Sequence, residues 1–97
     1  MKIVFTNGCF DILHRGHLEL LRYCKTLGSV IVGLNSDESV KRNKGQDRPV
    51  NCQEDRKFLL ESLVFVDQVI IFEEDTPYNL VKSLSPDVIV KGDDYIP

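Results

Sequence analysis

Short, mostly apolar runs alternate along this chain with segments whose apolar residues recur every three or four positions. The runs are Ile3–Phe5, Val30–Leu34, Val69–Phe72 and Val88–Val90. Continuous apolar runs of this length, bounded by turn residues, are typical of strands that are buried on both faces of a sheet. Their alternation with helical spacing indicates parallel βα units. The pattern therefore predicts an α/β fold.

Helices are predicted between these strands wherever an N-capping side chain or a helical spacing of apolar residues occurs. They are His17–Leu27, a short helix that Ser36 caps and that runs to about Arg42, a helix that starts with a capping box of Asn51 and Glu54, and one that Thr76 caps ahead of Pro77. The segment Asn43–Val50 is polar and contains Gly45 and Pro49. We expect it to be a loop that moves over bound substrate.

Right-handed crossovers between these strands give an open parallel sheet with helices on both faces. Ligands of such sheets bind beyond the carboxyl ends of the strands, where the strand order reverses. Three predicted loops, residues 6–16, 35–50 and 91–95, lie on that rim. The 97 residues suffice for one domain, 1–97, and not comfortably for two.

Charge and cysteine usage narrow the function classes. The chain carries 12 lysines and arginines against 15 aspartates and glutamates, a net charge of −3. A nucleic-acid-binding protein would carry a basic surplus, so we expect no nucleic-acid partner. The apolar runs are too short to span a bilayer and no signal peptide is evident, so a cytoplasmic protein without a membrane partner is expected. The three cysteines form no CxxC pair, which argues against a disulfide framework or a zinc knuckle.

The strongest chemical signal is His14-Arg15-Gly16-His17, which follows the first strand and Gly8 and enters the first helix. Histidines three positions apart near a helix start face the same way. The helix end adds unpaired N–H groups and a partial positive charge, and Gly16 leaves room for a phosphate. We therefore expect both imidazoles to donate to a polyphosphate whose charge grows during a phosphoryl-type transfer. An attacking phosphate is already ionised and needs no general base.

Two other interpretations of this motif stay open at this point. The histidines could only cap the helix, or Cys9 could join His14 and His17 in a zinc site, although no fourth ligand is apparent. Neither GxGxxG after the first strand nor GxxxxGK[ST] occurs in the chain. Their absence argues against dinucleotide oxidoreductases and P-loop NTPases.

The densest basic stretch follows the second strand and consists of Lys41, Arg42 and Lys44, with Arg48 nearby. Because it lies on the same rim as the histidines, we take Lys41, Lys44 and Arg48 as candidates for binding substrate phosphates. The alternative is a solvated helix end, where cations complement the helix dipole.

Four other charged residues are candidates on weaker grounds. Arg56 lies in the first turns of a helix, where a cation is unfavourable for the dipole, so it is either a buried ion-pair former or a substrate contact. Asp11 is expected to orient a loop group. Asp93 and Asp94, after Gly92, either accept hydrogen bonds from a base or sugar, bind Mg²⁺ through water, or cap a turn.

Residues Asn7–His17, which read Asn-Gly-Cys-Phe-Asp-Ile-Leu-His-Arg-Gly-His, resemble the signature of the cytidylyltransferase-like family of nucleotidyltransferases. Further runs resemble the adenylyltransferase domain of the bifunctional heptose-phosphate kinase/adenylyltransferases. These runs are Asn35–Ser39 with Lys41–Arg42 and Lys44–Gly45, then Arg48–Asn51, Phe72–Pro77, Pro86–Asp87, and Val90–Gly92 with Asp94–Tyr95. The resemblance covers nearly the whole chain.

The resemblance implies a Rossmann-like sheet, commonly a homodimer, and transfer of AMP from ATP, with Mg²⁺, to D-glycero-β-D-manno-heptose 1-phosphate. The products would be pyrophosphate and the ADP-sugar used for the lipopolysaccharide core. By motif position, His14 and His17 would contact the triphosphate and form the catalytic set with Lys44, which would bind phosphate. The nucleotide pocket would be lined by Thr6, Asn7, Gly8, Phe10, His14, Gly16, His17, Gly92 and Asp94.

Three departures from the family pattern point to alternatives. No sugar-kinase domain is present, so the chain resembles a stand-alone transferase. Gly92-Asp93-Asp94 is similar to glycerol-3-phosphate cytidylyltransferase, so transfer from CTP to glycerol 3-phosphate or a similar small alcohol phosphate is an alternative. The chain stops at Pro97, before the strand and the Ile-Ser-Thr-Thr-like segment with which the family continues. We therefore expect a longer natural protein, or else a non-catalytic nucleotide-binding or dimerisation module with an open sheet edge.

Overall fold

The computed structural model describes residues 1–91. Its elements are β1 Ile3–Gly8, α1 Arg15–Leu27, β2 Ser29–Asn35, α2 Asp37–Lys44, α3 Gln53–Glu61, β3 Gln68–Phe72, α4 Tyr78–Leu84 and β4 Val88–Ile89. The strands pair in parallel in the order β3-β2-β1-β4. The predicted α/β fold with an open parallel sheet is thus confirmed. Strands β2 and β3 follow β1 on one side of it, whereas β4 pairs with β1 on the other side. The strand order therefore reverses at β1, and ligands of such sheets bind at this position.

One layer of the core lies between the sheet and helices α1 and α3. Its buried members are Val4, Phe10, Leu21, Cys24, Val30, Val32, Leu34, Leu60, Val66 and Val69. The alternation of side chains along a strand sends Phe5 to the other face. There its ring fills the space above Gly33, where an added Cβ would lie only 2.7 Å from Phe5 Cζ.

The boundaries of the second and third helices differ from the prediction. Helix α2 is capped by Ser36 as expected, but it continues to Lys44 and takes the first residues of the predicted 43–50 loop. The prediction that Asn51 caps α3 is wrong. Cys52 occupies the cap position without a side-chain hydrogen bond, because the Asn51 amide donates instead to the backbone oxygen of Asp11 at 2.7 Å.

The fourth helix and strand are shorter than predicted. Pro77, and not Thr76, is the residue that precedes α4, and it makes no side-chain cap. The last strand has two residues, although the Val90 N–H continues the ladder by donating to the oxygen of Phe5 at 2.9 Å. Among residues 1–91, no helix combines the length and the apolar character that crossing a membrane requires.

Candidate active site

The tip of α1 is built by its two histidines. His14 has an extended backbone and is the N-cap of α1, which therefore begins at Arg15, two residues before the predicted start. The Gly16 N–H donates to Nδ1 of His14 at 3.0 Å, and the His14 N–H donates to Nδ1 of His17 at 3.3 Å. Together these bonds form a reciprocal capping box in which imidazoles replace the usual hydroxyl and carboxylate.

This capping geometry assigns the tautomer of both rings. A ring nitrogen that accepts a hydrogen bond carries no proton, so the ring N–H of each imidazole is assigned to Nε2. The two rings stack with centroids 3.9 Å apart and an interplanar angle of 29°. The expectation of unpaired N–H groups at this helix end is wrong for Gly16 and His14, because imidazole nitrogens accept from them. A phosphate at the tip would therefore meet imidazole N–H groups in their place.

The buried ring of Phe10 packs against the ring of His17. Its ring centroid lies 5.1 Å from that of His17, and only 4% of the residue is exposed. The backbone of Phe10 has a φ of 45°, a left-handed conformation that costs a residue other than glycine about 1–2 kcal/mol. Strain of this kind persists where the surroundings over-determine it, often at functional sites. Here the turn places the ring in the core and sends the following loop toward the helix tip.

A cavity of about 430 Å³ opens beside the two histidines, within the size range of small-molecule sites. Its lining combines apolar side chains with two imidazoles, two cations and one carboxylate. The lining residues are Cys9, Phe10, Asp11, Ile12, His14, His17, Val40, Lys44 and Arg48. The cavity thus brings the β1–α1 loop, helix α2 and the loop after α2 onto one rim, as the parallel topology requires.

The predicted site residues divide into three groups. Those that line the cavity are Phe10, His14, His17, Lys44 and Arg48. The others within residues 1–91 do not belong to this lining: Thr6 and Gly8 are buried in β1, Asn7 and Lys41 are half-buried, and Gly16 contributes its N–H to the helix cap. Gly92 and Asp94, together with Asp93, lie outside the described residues.

Thr6 is a special case among these. The residue is fully buried, and its Oγ1 finds no hydrogen-bond partner among residues 1–91. Thr6 is in β1 and does not line the cavity, so it stays a predicted nucleotide contact without support from this cavity.

Asp11 fixes the loop that follows α2. Its two carboxylate oxygens accept from the N–H groups of Val50 at 2.8 Å and Asn51 at 2.9 Å. The Arg48 guanidinium lies 3.7 Å away. Burial raises the pKa of Asp11, but the hydrogen bonds from Asn51 and Val50 and the charges of Arg56 and Arg48 outweigh it, so the pKa lies below its ordinary value. The expectation that Asp11 orients a loop group is confirmed.

Three residues that line the cavity were not singled out as pocket residues from the sequence: Cys9, Ile12 and Val40. The signal for Val40 was available, because it lies one helical turn before Lys44 and so shares a face of α2 with it. Ile12 is 56% exposed, and nothing in the local pattern distinguishes it from a surface residue. For Arg56, the structure decides in favour of the buried ion pair, since its Nη2 lies 2.8 Å from Asp37 Oδ1.

The described residues do not offer a dedicated metal site. Among residues 1–91, no three histidine, cysteine or acidic side chains are placed to hold a metal ion, so Cys9, His14 and His17 do not form the zinc site considered above. The single carboxylate of the described lining is Asp11, and both its oxygens already accept hydrogen bonds. This donor set fits Mg²⁺ that is held by the phosphates of a nucleotide better than Mg²⁺ held by the protein.

The chain is similar to curated bacterial proteins over nearly its whole length. The chain is 65% identical over 95 residues to the bifunctional protein HldE of a Nitratiruptor species, and 62% identical over 96 residues to that of Helicobacter pylori (strain Shi470). These matches cover 97% and 98% of this chain and 21% of each relative, so the chain spans about a fifth of the length of these curated relatives.

A solved structure shares the fold. The crystal structure of the lipopolysaccharide core biosynthesis protein from Thermoplasma volcanium GSS1 superposes with a TM-score of 0.83 at 32% identity, covering 92% of this chain and 72% of that one. The family model described as cytidylyltransferase-like matches residues 5–97. The parallel sheet, the histidine-capped helix tip and this match over nearly the whole sequence lead to one conclusion: the chain belongs to the cytidylyltransferase-like family of nucleotidyltransferases.

Proposed function

We propose that this domain transfers AMP from ATP to D-glycero-β-D-manno-heptose 1-phosphate and releases pyrophosphate and ADP-heptose. The observation that carries the proposal is the pair of stacked imidazoles at the α1 tip, which share a cavity with Lys44 and Arg48. Four groups able to donate hydrogen bonds or positive charge thus converge where a triphosphate would lie. The identity of 65% to a bifunctional HldE protein supports the choice of nucleotide and sugar.

The chemistry follows from what these groups can do. An ionised oxygen of the sugar phosphate attacks the α-phosphorus of ATP, the new P–O bond forms, and the bond to the β-phosphate oxygen breaks. The electron pair leaves with pyrophosphate, so negative charge grows on the leaving group. The Nε2–H groups of His14 and His17 stabilise that charge, and their Nδ1 bonds to the helix backbone hold both rings in place beforehand. Mg²⁺, bound to the ATP phosphates, supplies further charge neutralisation.

Lys44 and Arg48 bind the phosphates in this proposal. Lys44 is in the last turn of α2 and Arg48 is in the loop that Asp11 holds. Their positive charges line the same cavity as the histidines, so the substrate phosphates would contact imidazole N–H groups and cations together. Val40 and Ile12 provide apolar surface in the same cavity, where a ribose or base can pack.

The test is a pyrophosphate-release assay that compares ATP with CTP and heptose 1-phosphate with glycerol 3-phosphate. The proposal predicts the highest kcat/KM for ATP with the heptose phosphate. A preference for CTP with glycerol 3-phosphate would contradict the assigned substrates and favour the cytidylyltransferase alternative. ATP binding without turnover would indicate a binding module, and the assay should then be repeated on a protein that continues beyond Pro97.

Variants at the helix tip separate catalysis from capping. In His14→Ser the hydroxyl can still cap α1, but it is too short to reach the phosphates. We expect a near-wild-type melting temperature and a kcat about 10²–10³ lower, the usual cost of losing one preorganised donor. His17→Ala should lose activity similarly. Arg15→Ala is the matched control, because Arg15 lies at the same tip with its side chain 89% exposed and, within residues 1–91, paired only with Glu19 in α1. A loss smaller than about tenfold in His17→Ala, or roughly 1.4 kcal/mol in the barrier, would contradict the role given to His17.

A further inference from the structure

Arg56 is a fully buried cation in the first turn of α3. Its side chain has no exposed surface, and it does not line the cavity described above. The guanidinium donates to three backbone oxygens and to one carboxylate. The bonds are Nε to Asn51 O at 2.9 Å, Nη1 to Cys9 O at 2.8 Å and to Asn35 O at 2.9 Å, and Nη2 to Asp37 Oδ1 at 2.8 Å.

The four partners come from three segments that lead to the cavity. Cys9 belongs to the β1–α1 loop, which leads to the two histidines. Asn35 and Asp37 flank the start of α2, the helix that carries Lys44. Asn51 lies at the end of the segment that carries Arg48, and its N–H donates to Asp11 Oδ1. The planar guanidinium of Arg56 therefore connects the loop that leads to the histidines with the segments that carry Lys44 and Arg48.

The chemistry of the group favours positioning over simple stabilisation. A buried cation with one ionic partner is expensive to desolvate, and apolar replacements of such pairs are often no less stable. The rigid fork of arginine, however, fixes the directions of several acceptors at once, which the single ammonium of lysine does not do. Three loops that are otherwise separate in sequence thereby acquire a defined separation.

We infer that Arg56 is a positioning residue that sets the distance between the histidine tip and the Lys44–Arg48 cations. The inference rests on the proposed function for its link to turnover, but it also predicts the affinity for ATP alone. Misplacement of a phosphate-binding wall by about 1 Å lowers the rate by roughly a hundredfold in well-oriented sites. Arg56→Ala is therefore expected to lower kcat about a hundredfold and to raise the dissociation constant for ATP about tenfold, with Arg56→Lys intermediate.

The experiment measures ATP affinity by calorimetry, the kinetic constants for ATP and heptose 1-phosphate, and the melting temperature, for the wild type and for both variants. Lys57→Ala is the matched control, since Lys57 is the next residue of α3 and pairs across the surface with Glu61 at 4.0 Å. Guanidinium chloride at millimolar concentration is then added to every sample. A guanidinium ion can occupy the space that Arg56→Ala vacates, so we expect it to lower KM and the dissociation constant toward wild-type values in that variant only.

A purely structural role gives a different result. Partial unfolding lowers the fraction of active protein, which reduces the apparent kcat but leaves KM unchanged. The inference is overturned if the folded variants bind ATP within about fivefold of the wild type, roughly 1 kcal/mol, or if guanidinium does not restore affinity to Arg56→Ala. Should Arg56→Ala fail to fold, Arg56→Lys carries the same test, and failure of both variants to fold also overturns it. If the wild type binds ATP but does not use the heptose phosphate, the proposed substrate is wrong, while the affinities still decide the role of Arg56.

Discussion

Asp11→Asn tests whether the Asp11 carboxylate holds residues 45–52, the segment between α2 and α3 that carries Arg48, at the cavity. The wild-type carboxylate accepts two backbone N–H groups, from Val50 at 2.8 Å and from Asn51 at 2.9 Å, and its side chain is only 14% exposed. Asparagine keeps the shape of the side chain but has one acceptor oxygen. One N–H group would then face an amide NH₂, and the other would keep a neutral hydrogen bond.

The magnitude follows from these contacts. Hydrogen bonds to charged groups contribute about 1.5–3 kcal/mol and neutral ones about 1 kcal/mol. Losing one and weakening the other amounts to about 3 kcal/mol, which shifts the opening equilibrium of the segment roughly a hundredfold. The ion pair with Arg48 adds little, because the two groups are 3.7 Å apart and Arg48 is 51% exposed.

Amide hydrogen exchange measures this opening directly at the two donors. We expect the Val50 and Asn51 amides to exchange about a hundredfold faster in Asp11→Asn, because their protection reports the local opening free energy. Asp47→Asn makes the same chemical change at an exposed position of the same segment and should leave both amides protected. Exchange within about threefold of the wild type in Asp11→Asn would refute the claim that Asp11 holds this segment.

Acid should have the same effect on the wild type as Asp11→Asn. The pKa of Asp11 lies below its ordinary value in the folded protein, so folding favours the ionised form. Its contribution to stability is complete above a pH of about 4, the pKa in an unfolded chain, and is lost as the pH falls through the lower folded value. The exchange protection of Val50 and Asn51, corrected for the intrinsic pH dependence of exchange, should fall over that window. In Asp11→Asn it should not.

Three further measurements address the core, the thiols and the cavity. Gly33→Ala should lower the free energy of unfolding by about 1–3 kcal/mol through overpacking, since its Cβ would lie 2.7 Å from the buried Phe5 ring; an unchanged or higher urea midpoint would contradict this. Burial raises the pKa of Cys24 to about 11, although a backbone hydrogen bond lowers it slightly. Ellman's reagent at neutral pH should therefore modify the exposed Cys52 in the native protein, and it should modify Cys24 only after unfolding. Lys44→Ala should raise KM for ATP about tenfold or more, the value of one charge-assisted bond, without a change in melting temperature, and an unaltered KM would remove Lys44 from the phosphate site.

Local sequence was sufficient for much of the fold. Apolar periodicity depends on a few neighbouring residues, so all four strands and four helices of residues 1–91 were predicted in the correct order. Parallel pairing then follows from the alternation of strands and helices, and it places the histidine motif, Lys44 and Arg48 on one rim. The amino-acid sequence of residues 5–97 is also sufficient to match the cytidylyltransferase-like family model.

Local sequence was not sufficient for Asn51 and Arg56, which have hydrogen-bond partners far away in sequence. Asparagine is a residue type that often caps helices, yet the side-chain amide of Asn51 donates to the backbone oxygen of Asp11, 40 residues earlier. In the same way, local sequence allows Arg56 to form an ion pair or a substrate contact. Its bonds to Cys9, Asn35 and Asp37, which lie 47, 21 and 19 residues away, decide between these two roles. Neither outcome has a local signal, because the competing hydrogen-bond acceptors come together only after the sheet has formed.

The sequence by itself determined which elements form and which reactive side chains reach the same edge of the sheet. The tertiary structure decided the tautomers at the helix tip, the left-handed turn at Phe10 and the burial of Arg56. Periodicity and capping are properties of contiguous residues. The geometry of the cavity instead depends on contacts between segments up to 47 residues apart, such as that of Arg56 with Cys9, and these are specified only by the packing of the whole sheet.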